Sequence, residues 1–198
     1  MRIRVLWLLA FLSIGFIGLS PIRGQEVVNL IDNGGFEDGA LAPWWLYGNG
    51  SSEVVTDLVD ADISEPPIEG DNCLHIVVPE AGANFWDVGL GHAVGTFEAG
   101  KKYTLSAFFK SKTGTLQVNI KPELGEDPYT GYGSQAVTIT DEWAEYSVTT
   151  PVFSESVTPA QFTYHVAYTA GDLWVDGVRF YEGDYVEPAF SSAKAREP

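Results

Sequence analysis

Cysteine is nearly absent from this sequence, because Cys73 is the only one among 198 residues. No internal disulfide can form, so the fold depends on its hydrophobic core and on any metal ion that it binds. The thiol lies in a strand-like apolar run, 73–78, where a buried and inert cysteine is the default interpretation.

Basic residues are scarce too, with 11 Lys and Arg against 27 Asp and Glu. The formal net charge of −16 repels phosphate backbones and anionic lipids, which excludes nucleic acid as a partner. An acidic balance suits binding to neutral polymers or divalent cations, although solubility alone also explains it.

Recognisable catalytic machinery is missing as well. The three histidines, His75, His92 and His165, are dispersed, which argues against a zinc centre, and no Gly-x-Ser-x-Gly motif is present. Hydrolysis of a glycosidic bond needs two carboxylates about 5 to 10 Å apart across a sugar. No strand-like segment carries several carboxylates at alternating positions, so a glycoside hydrolase is the weakest functional alternative.

Helical periodicity is absent from the chain beyond residue 24, where no stretch between helix caps has apolar residues at i, i+3, i+4 and i+7. Short alternating segments are instead separated by Gly, Pro and Asp turns at intervals of roughly 8 to 12 residues. The chain is therefore predicted to be all-β, a two-sheet β-sandwich of about eleven strands with jelly-roll topology over residues 25–183. Residues 184–198 lose the alternation and are predicted to be a polar linker or disordered tail.

The N-terminus is predicted to be a secretory signal peptide, residues 1–24. A basic start, Met1 to Arg4, precedes an apolar run of about fifteen residues and then small residues, with cleavage expected near Gly24. The run is shorter than the roughly 18 residues of a spanning helix, and an uncleaved anchor is the alternative. Cleavage would remove three arginines and leave 8 basic against 27 acidic residues, a net charge of −19. The protein is expected to be secreted or held at the cell surface, with no membrane insertion after cleavage.

The stretch from Ala83 to Ser111 is predicted to be a strand, a turn and a strand. Its halves alternate apolar and polar residues on either side of a turn at 98–101. Strict alternation in the first half favours the core for Trp86 and a groove for Phe85 and Asp87. A bulge at Gly89 would reverse the later part of that strand.

Asp176 is the most informative single residue. In the predicted last strand, 172–181, period-two alternation places it on the same face as Trp174, Val178 and Phe180, which have the character of core residues. A buried carboxylate without a partner is costly, and calcium is an attractive partner in a chain with few cations. A bulge that turns Asp176 outward, or backbone amides that satisfy it, are equal alternatives.

Aromatic residues are more numerous than one core needs. They are Trp44, Trp45, Phe85, Trp86, Tyr129 and Tyr132. Sugar rings stack on aromatic planes, while their hydroxyls need polar side chains at the edges, of the kind supplied by Asp87, His92, Gln117, Asn119 and His165. Although the core is the better interpretation for any one ring, the collection is typical of a ligand groove with aromatic platforms.

Several motifs, in order, resemble carbohydrate-binding modules of families four, nine and twenty-two. They span about residues 27–182 and comprise Asn33-Gly34-Gly35-Phe36-Glu37, Glu69-Gly70-Asp71-Asn72-Cys73-Leu74-His75-Ile76, Phe85-Trp86-Asp87-Val88, Ala99-Gly100-Lys101-Lys102-Tyr103-Thr104-Leu105-Ser106, Glu142-Trp143 and Trp174-Val175-Asp176-Gly177-Val178. The chain departs from many members by having Asp176-Gly177 where they have two adjacent Asp residues.

The resemblance implies a β-jelly-roll with a structural calcium ion and a cleft for β-glucan, xylan or a related polysaccharide or oligosaccharide. By position, the calcium ligands would be the carbonyls of Gly35 and Asn72 and the carboxylates of Glu37, Glu69 and Asp176. The expected sugar-binding residues are Phe85, Trp86, Asp87, His92, Gln117, Asn119, Tyr129, Tyr132 and His165.

The predicted function is therefore a non-catalytic carbohydrate-binding module, accessory to glycoside hydrolysis. A protein-binding or structural cell-surface domain, with other surface proteins as partners, is the alternative from a different class, because fold alone does not choose between them.

Overall fold

A computed structural model of the chain describes residues 27–55 and 67–188. The predicted signal peptide, the acidic segment 56–66 and the end of the predicted tail lie outside the described residues. The described residues form ten strands: β1 (Trp45–Tyr47), β2 (Ser51–Val55), β3 (Cys73–Val78), β4 (Gly89–Phe97), β5 (Tyr103–Ser111), β6 (Leu116–Leu124), β7 (Gln135–Ile139), β8 (Ala144–Thr149), β9 (Val157–His165) and β10 (Gly171–Glu182). Within these ranges no helix long and apolar enough to cross a membrane occurs.

The strands form two five-stranded antiparallel sheets, which confirms the predicted all-β sandwich. One sheet has the order β1-β4-β9-β6-β7 and the other β2-β3-β10-β5-β8. The sheets pack face to face because each strand alternates apolar and polar side chains, and the apolar faces meet between them. The rings buried there include Phe97, Phe109, Phe162, Tyr164 and Phe180. Fully burying each such side chain contributes about 1.5 to 3 kcal/mol.

The two strands predicted between Ala83 and Ser111 do not pair with each other as a hairpin. β4 pairs with β1 and β9, whereas β5 pairs with β10 and β8, so the turn at 98–101 carries the chain from one sheet to the other. The first half is a loop before β4, because the Asp87 carboxylate accepts the Asn84 amide (2.9 Å) and closes a turn there. The alternation of apolar and polar residues in a strand predicts which side chains lie on each face, but it does not predict which strands pair with it.

The prediction that Trp174, Val178 and Phe180 share one face of the last strand is also wrong. Val178 and Phe180 lie in the main core, while Trp174 lies in a separate cluster with Val55 and Cys73. The register of β10 against β5 shifts between Asp176 and Arg179, and such a bulge moves the following side chains to the opposite face.

Residues 184–188, the start of the predicted tail, lie against the second sheet. Arg179 Nη2 donates to the Val186 carbonyl (2.7 Å) and to Glu145 Oε1 (2.8 Å). Tyr185 donates its hydroxyl proton to Glu145 Oε2 (2.6 Å). The first residues of the predicted tail therefore pack on the sandwich as far as Val186.

Candidate functional site

A cleft with a volume of about 680 Å³ lies on the solvent-facing side of the β1-β4-β9-β6-β7 sheet. It is lined by Trp45, Tyr47, Phe85, Trp86, Asn119, Lys121, Glu123, Gly125, Pro128, Tyr129, Ser134, Gln161, Thr163 and His165. A cleft of this size, with aromatic walls and a few polar groups, is typical of a ligand site.

The floor of the cleft is built from alternate residues of β6 and β9. Their intervening residues, such as Ile120 and Phe162, are fully buried in the core, so the polar residues between them face out. The antiparallel register places these outward residues opposite one another as Asn119 with His165, Lys121 with Thr163, and Glu123 with Gln161. Six polar side chains thus form three cross-strand pairs.

Two glycines of β4 continue the floor and leave room for aromatic rings. A Cβ on Gly91 would lie 2.5 Å from the Trp45 indole, and one on Gly89 would lie 2.4 Å from the Tyr47 hydroxyl. The register confirms the contacts, because Trp45 pairs with Gly91 and Tyr47 with Gly89. Only glycine lets the two rings lie this close to the backbone of β4.

The loop before β4 supplies a second aromatic wall. Phe85 stacks on Tyr168 (centroids 4.9 Å apart) and meets His165 edge-on (5.7 Å). Trp86 stands perpendicular to Phe85 at 4.7 Å and is 50% exposed. Strict alternation along a strand predicted a core position for Trp86. That prediction is wrong, because the segment that carries Trp86 is a loop.

Tyr129 forms a third aromatic element, on the loop between β6 and β7. Its side chain is 49% exposed and its φ of +53° is in the left-handed region, which is uncommon for a non-glycine residue. Lys121 Nζ donates to the Tyr129 carbonyl (2.8 Å), so the loop is tied to the floor.

A directional hydrogen-bond chain crosses the floor. Thr163 Oγ1 donates its single proton to Glu123 Oε1 (2.9 Å), so His165 Nε2 must donate to Thr163 (3.1 Å). His165 Nδ1 then accepts from Asn119 Nδ2 (3.2 Å), and Asn119 Oδ1 accepts from Ser134 (3.1 Å). Burial lowers the pKa of His165 to about 4, which agrees with a neutral ring held in one tautomer.

Glu123 is the hub of the floor. Its Oε1 accepts from Thr163 and from Gln161 Nε2 (each 2.9 Å), and its Oε2 lies 2.7 Å from Lys121 Nζ. Within the described part of the chain it is the only carboxylate of the cleft lining. Because glycoside hydrolysis needs two carboxylates and Glu123 is already paired, the lining holds no hydrolytic pair.

Five of the nine predicted sugar-binding residues meet in this cleft, namely Phe85, Trp86, Asn119, Tyr129 and His165. The side chains of the other four, Asp87, His92, Gln117 and Tyr132, do not line it.

Each of those four has an identifiable environment. Asp87 caps its own turn through Asn84. His92 faces the core side of β4, with its ring 4.7 Å from Trp44 and a pKa lowered by burial. Tyr132 packs edge-on against Phe153 at 5.0 Å. Gln117 is exposed farther along β6 than the floor pairs.

Sequence reasoning misses several lining residues, which are Tyr47, Glu123, Gly125, Pro128, Ser134, Gln161 and Thr163, and it assigns no binding role to Trp45 beyond the aromatic collection. Alternation in β6 and β9 is a signal that could have found the polar ones. The glycine spacing in β4 is a second signal, because it marks where aromatic rings press on the sheet.

Three of the predicted calcium ligands, Glu37, Glu69 and Asp176, are linked through the backbone of the segment before β3. Asp176 is fully buried, and its Oδ2 accepts from the amides of Ile68 (2.5 Å) and Glu69 (2.9 Å). Burial raises the pKa of Asp176 to about 7, against the lowering effect of these bonds. Backbone amides therefore satisfy this carboxylate, as one of the alternatives expects.

Glu37 and Glu69 complete the acidic cluster. Glu37 Oε1 accepts from the Asn72 amide (2.8 Å), and a Cβ on Gly35 would lie 3.0 Å from Glu69 Oε2. Burial and the neighbouring Glu37 raise the pKa of Glu69. The described residues contain no group of three or more His, Cys, Asp or Glu side chains that could hold a metal ion, although carboxylate and carbonyl oxygens of the predicted kind are the ligands that calcium prefers.

Comparison with known proteins gives the chain a family. A family model described as "Carbohydrate binding domain", for modules of families 4 and 9, matches residues 28–169. A search of curated protein sequences finds no significant match.

Solved structures share the fold. A CBM4 structure is 22% identical with a TM-score of 0.57, over 77% of this chain and 99% of that one. A CBM61 module in complex with β-1,4-galactotriose is 21% identical (TM-score 0.56; 80% and 99%). The CBM22-1 xylan-binding domain of Xyn10C from Paenibacillus barcinonensis is 14% identical (TM-score 0.60; 80% and 97%). At these identities the structures show the fold alone, whereas the family model, which covers more than half of the sequence, shows that the chain belongs to the carbohydrate-binding domain family of modules 4 and 9.

Proposed function

We propose that the protein is a secreted, non-catalytic module that binds a β-glucan, xylan or a related chain in the cleft described above. The observation that carries the proposal is the arrangement of aromatic rings, Trp45, Tyr47, Trp86 and Tyr129, around a floor of six polar side chains. The flat C–H faces of sugars stack on such rings, while hydroxyls at their edges need hydrogen-bonding groups. Related folds with xylan-binding and galactotriose-bound descriptions support the ligand class.

The floor has hydrogen-bonding capacity left for a ligand. Asn119 Nδ2 has two protons, of which one is directed to His165. Gln161 Nε2 uses one of its protons on Glu123. The remaining donors, with the amide oxygen of Gln161, match the alternating donor and acceptor roles of sugar hydroxyls.

The charge of the floor favours a neutral glycan. Lys121 is balanced by Glu123 at 2.7 Å, and His165 is uncharged near neutral pH because its pKa is about 4. The chain as a whole is strongly acidic, with a net charge of −16. An acidic polysaccharide would therefore be repelled and would find no free cation on the floor.

A calcium ion at Gly35, Glu37, Glu69, Asn72 and Asp176 belongs to the same proposal. In the described ranges, no ion pair neutralises any of the three carboxylates, and each pKa shift resolved there is upward. A bound divalent cation would offset this repulsion. The residues would then hold the 35–37 segment against the bulge of β10, stabilising the sandwich without taking part in sugar binding.

An accessory role in glycoside hydrolysis is also proposed. Similar folds occur within larger enzymes, since the chain matches 27% of an arabinose-bound α-L-arabinofuranosidase at 15% identity and a TM-score of 0.61. A module without a hydrolytic pair would contribute by keeping an enzyme close to its polymer, which raises the local substrate concentration.

Isothermal titration calorimetry against oligosaccharides of xylan, mixed-linkage glucan, laminarin, cellulose and β-1,4-galactan tests the proposal, with tryptophan fluorescence as a second readout. Saturable binding to one of these glycans, without new reducing ends on incubation, is the expected result. New reducing ends would indicate an enzyme. Absence of binding to every glycan, with tight binding to a cell-surface protein, would favour the protein-binding alternative.

A further inference from the structure

The Lys121 side chain links the floor of the cleft to the loop that carries Tyr129. Its Nζ donates to the Tyr129 carbonyl oxygen (2.8 Å) and lies 2.7 Å from Glu123 Oε2. The Lys121 side chain is 21% exposed and that of Glu123 only 3%. A charge-assisted bond shielded from water holds its partners more firmly than an exposed one.

The bond from Lys121 acts on Tyr129 itself. The ring is half exposed, and its backbone has a φ of +53°, which neighbouring contacts must maintain in a non-glycine residue. Backbone bonds also join the loop to the strands of the floor, from Leu124 N to Thr130 O (2.9 Å), from Tyr132 N to Pro122 O (2.7 Å) and from Gly125 N to Pro159 O (2.8 Å). They hold the two ends of the loop, whereas the bond from Lys121 is made to the Tyr129 carbonyl itself.

Glu123 supplies the fixed end of this connection. Its other carboxylate oxygen, Oε1, accepts hydrogen bonds from Thr163 and Gln161. Both residues lie on β9, the middle strand of the sheet. Contacts therefore run without interruption from β9 through Glu123 and Lys121 to Tyr129. A change at Lys121 breaks the connection but leaves the bonds between Glu123 and β9 in place.

We propose that Lys121 is a positioning residue, which fixes the Tyr129 ring over the cleft and thereby sets the affinity for the bound chain. Its effect on affinity passes through Tyr129 and not through a direct contact with sugar. The affinity half of this proposal rests on the proposed function, whereas the order of the loop is independent of any ligand.

Hydrogen exchange measured by mass spectrometry tests the loop without a ligand. In Lys121→Met, the amides of 124–131 should exchange at least about ten-fold faster than in the wild type, because a tether that limits local opening is lost. Lys102→Met is the matched control, since Lys102 pairs with Asp184 on the other sheet and its loss should leave 124–131 unchanged. Equal protection of 124–131 in the wild type and in Lys121→Met overturns the proposal.

A double-mutant cycle tests the route to affinity. Lys121→Met should weaken binding of the best oligosaccharide roughly three- to ten-fold, and Tyr129→Ala at least as much, as expected for coupled residues. The double variant should bind no more weakly than Tyr129→Ala alone. If Lys121→Met costs the same factor in both backgrounds, Lys121 contacts the sugar itself and the proposal is wrong.

A second variant guards against misfolding, because Lys121→Met leaves the buried Glu123 charge unpaired. The double variant Lys121→Met/Glu123→Gln removes both charges, and the same exchange and affinity results are expected from it. If the wild type binds none of the glycans, the proposed function fails separately. Faster exchange in 124–131 would then still support Lys121 as the tether, and unchanged exchange would overturn it.

Discussion

The Trp45 indole lies over Gly91 so closely that a Cβ at position 91 would be 2.5 Å from it. Gly91→Ala should displace the ring and weaken glycan binding about ten-fold, since overpacking at a tight contact costs about 1 to 3 kcal/mol. Calorimetry with the preferred oligosaccharide measures the change. In a Trp45→Ala background the same substitution should cost little more, and a full second loss there would show that Gly91 acts by another route.

The exposed rings on opposite loops should carry much of the affinity. Trp86→Ala and Tyr129→Ala are each expected to weaken binding about ten-fold, equivalent to about 1.4 kcal/mol, because each removes a stacking surface. Their melting temperatures should barely move, as both side chains are about half exposed. Tyr185→Ala is the control, since Tyr185 is 44% exposed on the other sheet. An equal loss of affinity in the control would contradict the assigned cleft.

The neutral state of His165 predicts a particular dependence on pH. Its pKa falls from 6.5 to about 4 on folding, so the unfolded chain takes up a proton first as the pH drops. Above about pH 6.5 the titration of His165 leaves the free energy of unfolding unchanged. As the pH falls from there to about 4, it lowers the free energy of unfolding by about 3 kcal/mol in total. Glycan affinity should meanwhile stay constant between about pH 5 and 8, because the ring remains neutral there.

Urea unfolding of the wild type and of His165→Gln across that range isolates the contribution of His165. The wild type should lose about 3 kcal/mol more than the variant between pH 6.5 and 4, since other titrating groups are common to both. Parallel stability curves would mean that His165 is protonated equally in the folded and unfolded states.

Calcium should stabilise the protein without being required for sugar contact. With calcium at about 100 times its dissociation constant, the free energy of unfolding should rise by about 2.7 kcal/mol and the melting temperature by about 5 to 10 °C. Differential scanning fluorimetry with calcium, magnesium and a chelator measures the shift, and Asp176→Asn should abolish it. Identical melting curves with calcium and chelator would rule out the proposed ion.

The class of the fold could be predicted from the sequence, because alternating apolar and polar residues mark the two faces of a strand. The alternation of Phe162 and Tyr164 with Thr163 and His165 in β9 identifies a half-buried strand without any structure. Which strands become neighbours could not be predicted in the same way. The partners of β4 and β5 depend on contacts between distant segments, and the turn between the two strands is compatible with either arrangement.

The site was predictable in part for the same reason. Aromatic excess and polar alternation indicated the kind of surface, and five predicted residues meet in the cleft. Glu123 and Gln161 could not be recognised as neighbours from the sequence, because they are brought together by the register between β6 and β9. At Asp176, the bulge in β10 changes the face of the next residues, a one-residue event that alternation cannot anticipate.

Because most connections between successive strands pass from one sheet to the other, the recognition surface is assembled from remote parts of the polypeptide. Trp45 meets Gly91, and Asn119 meets His165 across a neighbouring strand pair. Such non-local pairing slows folding, and no early fragment contains a usable half of the surface. Glycan binding should therefore appear only after β9, which ends at His165, has been synthesised. A nascent or proteolysed chain that lacks β9 should show no residual glycan binding.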